Sequence, residues 1–268
     1  MTDVLKRNNV RVIGHGNQAI IFAHGFGCDQ NVWRNQIREF ESEYKLILFD
    51  YVGAGQSDLK AYDSIRYSSL DGYGQDVLEI LEELNVKDAI FIGHSVSSMV
   101  GIKAAIAKPS YFNKLIFLSP SQCYINDTNY NGGMDKEDLD ELFAVMDNNY
   151  LGWSSYIAPL IMGNPDQPEL ATELTANFCA TDPDIAREFA RVTFLTDSRT
   201  DLNKLSVESL TLQCSDDILA PISIGNYIQE NTPKNTLIIL EATGHCPHLS
   251  APLETNAAIR SFINPKKT

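Results

Sequence analysis

No stretch of the chain approaches 18 consecutive apolar residues, and the N-terminus lacks the basic-then-apolar pattern of an export signal. Neither a membrane span nor secretion is indicated, and the expected compartment is the cytoplasm. Basic residues are scarce: 21 Lys and Arg stand against 35 Asp and Glu, a formal net charge of -14. Phosphate backbones are bound by clustered Lys and Arg, so a nucleic-acid partner is disfavoured. The five cysteines, at 28, 123, 179, 214 and 246, form no C-x-x-C pair and no Cys/His group with zinc spacing. No metal is expected, and the thiols read as reduced, small apolar fillers. Gly53 and Gly55 lie in a turn that hints at a phosphate loop, but neither a following Gly-Lys-Ser/Thr nor the dinucleotide fingerprint is present, so the hint is weak. What the chain does have is 44% apolar residues over 268 positions, enough for a large core in one domain with an insertion.

The most informative segment is Ala89-Ile90-Phe91-Ile92-Gly93-His94-Ser95-Val96-Ser97. It reads as a buried strand, a sharp turn with a serine at its apex, and a helix start, the pattern of a nucleophile elbow in an α/β-hydrolase. Ser97 stands where glycine is usual; a small residue is needed there because the helix starts tightly against a neighbouring strand. In this fold an acid and then a histidine must follow the serine in the chain. After the strand-like run Leu210 to Cys214 comes Ser215-Asp216-Asp217, and after Leu237-Ile238-Ile239-Leu240 comes Gly244-His245-Cys246-Pro247-His248. The mechanics of the turn leave Asp216 and Asp217 open as the acid. His245 is the candidate base because the preceding glycine allows a tight approach, with His248 as fallback. Upstream, the run Ala19 to Ala23 enters His24-Gly25-Phe26-Gly27, a variant of the His-Gly loop that supplies an oxyanion donor. The amides of Phe26 and Val96 are the two candidate donors. His15, His24 and His94 precede the serine and read as structural or solvated. Cys28 and Cys246 flank the oxyanion loop and the base, where either could be a modifiable thiol.

Strand and helix patterns alternate through the rest of residues 1–120 and 206–268, giving an α/β class with a mostly parallel, doubly wound sheet. Between 121 and 205 the strand signal stops. Four amphipathic stripes take its place: Leu139, Leu142, Phe143 and Met146; Trp153, Tyr156, Ile157, Leu160 and Ile161, kinked or split by Pro159; Leu170, Leu174 and Phe178; and Ile185, Phe189 and Val192. They predict a helical cap inserted after the sixth strand, its inner face roofing the serine. The stripes offer aromatic, Leu and Met side chains and few charges, so the expected ligand is small, uncharged and apolar.

Taken together, the segments Gly25 to Gln30, Phe49 to Gly55, Leu70 to Tyr73, Gly93 to Val96, Thr181 to Pro183, Leu212 to Asp217 and Gly244 to His248 resemble the RsbQ-like stress-response regulators of bacilli. More distantly they resemble the karrikin and strigolactone receptors of plants. The resemblance spans nearly the whole chain. It implies an α/β-hydrolase fold with a four-helix cap, a triad of Ser95, Asp217 and His245, an oxyanion hole from the Phe26 and Val96 amides, and no cofactor. Two roles follow from it. One is a carboxylesterase that cleaves small apolar esters or lactones through an acyl-enzyme; the other is a slow-turnover ligand sensor acting on a protein partner, by analogy a PAS-containing phosphatase. A haloalkane dehalogenase is a weaker alternative, since it needs Asp at the elbow where this chain has Ser95.

Overall fold

The computed structural model describes residues 3–265. Seven strands form one sheet: β1 (Arg11–Ile13), β2 (Ala19–Ala23), β3 (Lys45–Leu48), β4 (Ala89–His94), β5 (Phe112–Leu118), β6 (Glu208–Asp216) and β7 (Asn235–Thr243), in the order β1-β3-β2-β4-β5-β6-β7. Only β1 runs antiparallel to its neighbour; every other pairing is parallel. The helices are α1 (Val4–Arg7), α2 (Arg34–Phe40), α3 (Leu70–Glu83), α4 (Val96–Ala107), α5 (Lys136–Asn148), α6 (Tyr150–Met162), α7 (Pro168–Ala180), α8 (Pro183–Leu195), α9 (Arg199–Leu202), α10 (Ile222–Asn231), α11 (Pro247–Ser250) and α12 (Pro252–Ile263). No helix among the described residues is long and apolar enough to cross a membrane.

The central strands β2 and β4 are buried along their whole length, as parallel strands covered on both faces must be. Alternate residues feed two cores: Ile20, Phe22, Ile90 and Ile92 enter one, and Ile21, Ala23, Phe91 and Ala89 the other. The parallel arrangement puts the strand ends that carry chemistry on one edge. The C-terminal ends of β2, β4, β6 and β7 open into the loops at His24, Ser95, Asp217 and Gly244, where ligands of open α/β sheets bind.

The cap leaves the sheet after the fifth strand, not the sixth. A cap after the sixth strand would need a further strand ahead of β2; among the described residues the segment before β1 is instead the short helix α1, whose N-cap Asp3 accepts from the amides of Leu5 and Lys6. The cap itself is helical as expected, α5 to α8, with α6 packed on α5 and α7 and α5 on α8. Helix α6 departs from the stripe read in the sequence. Trp153 and Ile161 are buried, but Tyr156 and Leu160 are exposed, and the helix runs unbroken through Pro159. Its sequence YLGWSSYIAPLIM is apolar on almost every side, so periodicity cannot pick the buried face.

The Gly53 to Gly55 turn wraps an internal carboxylate. Asp50, 1% exposed, accepts from the amides of Gln30 and Gln56 and from the side chain of Asn9, and a Cβ on Gly55 would overlap its Oδ2. A carboxylate that fills the turn explains why it needs glycine and leaves no room for a phosphate. Asp50→Ala is expected to cost about 1–3 kcal/mol of stability, because it strands the buried amide of Gln30 and the partly buried amide of Gln56; a urea unfolding titration with no shift in midpoint would refute the assignment.

Candidate active site

Ser95 sits between β4 and α4 with φ 56° and ψ -125°, a backbone state that non-glycine residues occupy only at a cost of about 1–3 kcal/mol. Packing holds it there. Its amide donates to the Leu118 carbonyl of β5 at 2.8 Å. Gly93 and Gly101 let the Phe91 ring lie against β4 and α4, where any Cβ would collide with it. Ser95 is also the N-cap of α4 but makes no side-chain capping bond. A capping serine would spend its oxygen on a first-turn amide; here Oγ is free, and it donates to Nε2 of His245 at 2.7 Å.

The ring of His245 donates from Nδ1 to Oδ2 of Asp217 at 2.7 Å. The other oxygen of Asp217 accepts from the amides of Leu219 and Ala220 at 2.9 and 3.2 Å, which fixes the carboxylate plane. The structure therefore brings Asp217, and not Asp216, to the histidine. Asp216 is exposed and has instead a backbone role, its carbonyl accepting from the Gly244 amide at 2.7 Å. The expected reason for Gly244 holds: at φ 86° a Cβ would overlap the Met162 carbonyl of α6. The His245 amide donates to the Ile161 carbonyl at 2.9 Å, and Asn164 donates to the Thr243 carbonyl at 2.8 Å. The end of α6 has carbonyls without intrahelical partners, and the histidine loop supplies one of their donors.

The candidate oxyanion donors lie at the same edge. Val96 is the first residue of α4, where an amide has no acceptor within the helix and the helix dipole favours negative charge. The loop bearing Phe26 is set by His24, whose Nδ1 donates to the Gly25 carbonyl at 2.9 Å and whose Nε2 accepts from the Tyr51 amide at 3.2 Å. Gly27, at φ 70°, admits the ring of Phe178 from α7. Phe26 is the hub of an edge-on aromatic cluster with Phe178, Phe189 and Phe194, at centroid distances of 5.3, 5.6 and 6.3 Å.

Sequence reasoning treated Ser97 only as a small residue. In the structure its Oγ donates to the His24 carbonyl and accepts from the Tyr51 hydroxyl, the latter at 2.8 Å. All three groups are buried. The hydroxyl thus ties the elbow to the oxyanion loop, a long-range link that a motif cannot announce.

The remaining histidines have structural places. His15 is exposed. His94 is buried and donates from Nε2 to the His245 carbonyl at 2.8 Å; burial, then the neighbouring His245, pulls its pKa down to about 3. His248 makes no hydrogen bond to the serine: both ring nitrogens lack partners among the described residues, and the ring lies between Trp33 and His94 at centroid distances of 4.7 and 4.5 Å. Burial holds it neutral, well below the ordinary histidine range. Cys28 and Cys246 do reach the cavity wall, but burial pushes Cys28 up to about 12 and raises Cys246 well above the usual thiol range, so both stay protonated and poorly nucleophilic.

Above Ser95 the cap encloses a narrow cavity of about 30 Å³. Phe26, Leu142, Trp153, Ile157, Leu174 and Phe194 form much of its wall, and no Lys, Arg, Asp or Glu is among its described lining residues. Tyr124 brings its hydroxyl to 3.4 Å from Ser95 Oγ.

This chain matches the model of the alpha/beta hydrolase family over residues 20–258. It is 38% identical to the karrikin insensitive 2 receptor CA of Petunia hybrida over 250 residues, 93% of each chain. It is 34% identical to the strigolactone esterase D14 of Arabidopsis thaliana over 262 residues, 97% of this chain and 98% of that one. Among solved structures, a hydrolase from Oleispira antarctica superposes with a TM-score of 0.96 at 42% identity, covering 98% of this chain and 97% of the other. The likeness to the plant receptors read from the sequence is borne out.

Two outcomes follow from the geometry. Ser97→Ala should lower stability by about 1–3 kcal/mol, since it leaves a buried carbonyl and a buried hydroxyl short of a partner. A double-mutant cycle with Tyr51→Phe should be clearly non-additive; strict additivity would mean that the bridge carries no energy. The second concerns acid. In the unfolded chain both imidazoles take up protons near pH 6.5, whereas folded His94 stays neutral down to about 3 and folded His248 well below its usual range. Below about pH 6.5 the unfolded state binds more protons, so stability falls as pH falls and is level above that point. His248→Phe should match or exceed wild type in stability at pH 7 and flatten the fall between pH 6 and 5 by about one proton, ~1.4 kcal/mol per pH unit. An unchanged slope in urea titrations across that range would count against a neutral, buried His248.

Proposed function

The chain belongs to the alpha/beta hydrolase family, and from that premise we propose that it is a serine hydrolase that cleaves small apolar carboxylic esters or lactones through an acyl-enzyme. One observation carries the reading: Ser95 Oγ, released from helix capping, lies 2.7 Å from His245 Nε2 at the floor of an uncharged cavity. Ser95 attacks the carbonyl carbon while His245 takes its proton. Asp217 holds the imidazole with its proton on Nδ1 and stabilises the imidazolium. The charge on the tetrahedral oxygen is met by the Phe26 and Val96 amides, each such donor being worth roughly 3 kcal/mol of barrier. Collapse expels the alcohol, or opens the lactone ring, as His245 returns the proton to the leaving oxygen. Water then attacks the acyl-enzyme with His245 again as base, freeing the acid and Ser95. The mechanism needs no metal or organic cofactor. The cavity size favours short substrates, and burying a charge in it without a partner would be costly.

A second reading, a slow ligand sensor, is favoured by the bond from the His245 amide to the Ile161 carbonyl. Through it the base loop and the cap form one unit, so cap movement and acylation would each bias the other. The names of the plant relatives point the same way, one a receptor and one an esterase. The PAS-containing phosphatase partner rests on the RsbQ likeness alone.

The test is hydrolysis of p-nitrophenyl esters of increasing acyl length, with labelling by a fluorophosphonate. Short acyl chains should be the best substrates. Ser95→Ala should abolish labelling and lower kcat by several orders of magnitude, and Asp217→Asn should lower it on the order of 10⁴-fold while Asp216→Asn has little effect. A labelled Ser95→Ala protein would remove Ser95 as nucleophile. Turnover of about 1–1000 per second marks an esterase, and turnover far below that range marks the sensor.

A further inference from the structure

The cap is built with hydroxyl side chains on its helices, and nearly all of them are used in the same way. Thr172, Thr175 and Thr196 donate to the carbonyls of Pro168, Ala171 and Val192, and Ser154 and Ser155 to those of Tyr150 and Leu151, each four residues back. This back-bonding is the ordinary way for a helical hydroxyl to satisfy itself. Thr193 in α8 is the exception. Its Oγ1 is buried and has no partner among the described residues, and the residue lines the cavity above Ser95. The carbonyl of Phe189, one turn back, was available to it. A buried hydroxyl without a partner is unfavourable, and valine would fill the same volume without that cost, so the position invites explanation by a ligand. A second residue of the cavity wall, Trp153, also has a buried polar atom, Nε1, without a partner among the described residues. The rest of the cap-side lining is hydrocarbon and aromatic.

We propose that Thr193 is a specificity-determining residue, and that the substrate is an oxygenated small ester or lactone with an oxygen outside the scissile group that pairs with the Thr193 hydroxyl. This deepens the hydrolase reading and rests on it for the cleavage step but not for binding. The polar atoms at the sheet edge, Ser95, His245 and the oxyanion amides, are committed to the reacting carbonyl. Thr193 lies on the opposite element, the cap, so its partner is another part of the ligand. A site that holds a polar group for a ligand oxygen discriminates strongly against the analogue that lacks it, whereas an apolar wall would not distinguish the two.

The experiment compares matched pairs that differ by one ether oxygen in place of a methylene: p-nitrophenyl 3-methoxypropanoate against pentanoate on the acyl side, and 2-methoxyethyl acetate against butyl acetate on the alcohol side. Binding is measured by calorimetry in the Ser95→Ala background and kcat/KM in the active protein, each with Thr193, Thr193→Val and Thr193→Ser. Expected is a preference for the oxygenated member of at least one pair, lost about 5- to 20-fold on Thr193→Val in both binding and kcat/KM, with the hydrocarbon member unaffected and Thr193→Ser retaining the preference. The melting temperature of Thr193→Val should not fall. Equal effects on both members of each pair, or a fall in melting temperature that Thr193→Ser repairs without any change in preference, would overturn the proposal and make the hydroxyl structural. If calorimetry shows the preference while no ester is turned over, the hydrolase reading fails and the recognition role stands.

Discussion

The local constraint on which the site depends is the left-handed turn at Ser95. A chain leaving a parallel strand and entering a helix in one residue must reverse abruptly, and at φ 56° a serine does so against its own backbone preference. The turn persists because its surroundings determine it several times over: the bond from its amide to β5, the bond from Ser98 to the Gly93 carbonyl at 3.1 Å, the Phe91 ring packed where Gly93 and Gly101 have no side chains, and the bridge from Ser97 to the oxyanion loop. Strain at one residue is held by many ordinary contacts, and the reward is a hydroxyl lifted off the sheet with unspent amides beside it.

The base side is organised differently. Asp217 and His245 come from the ends of two adjacent parallel strands, β6 and β7, so the register of that pair sets their separation. The cap then completes the arrangement: the last turn of α6 presses on Gly244 and takes the His245 amide. Removing or shifting the cap would therefore alter the position of the base as well as the shape of the cavity.

Buried polar groups in this molecule divide by use. Asp50 is surrounded by donors that hold loops in place, and His24 spends both nitrogens on backbone. His248 spends neither, and is kept as a flat neutral ring between Trp33 and His94. Thr193 and Trp153 also have unspent polar atoms, but both residues border the cavity above Ser95. Under the proposal made for Thr193, the same lack of a partner is packing in one place and recognition in the other.

By itself the sequence determined what depends on local chemistry and chain order: the alternating strands and helices, the Gly-His-Ser turn, the Ser-Asp-His order, the His-Gly loop, and the helical nature of the cap. These are legible because hydrophobic period, glycine placement and motif spacing act within a few residues. The chemistry of the turn left Asp216 and Asp217 level, the resemblance named Asp217, and the tertiary structure turns that carboxylate to His245. Only the tertiary structure decided the buried side of α6, whose apolar residues surround the helix, and the place of the cap after the fifth strand. It also turned Ser97 from a space-saving residue into a bridge and placed Thr193, which the stripe of Ile185, Phe189 and Val192 does not include, in the cavity wall. Each of these rests on contacts between segments far apart in the chain, and such contacts leave no local period or spacing to read.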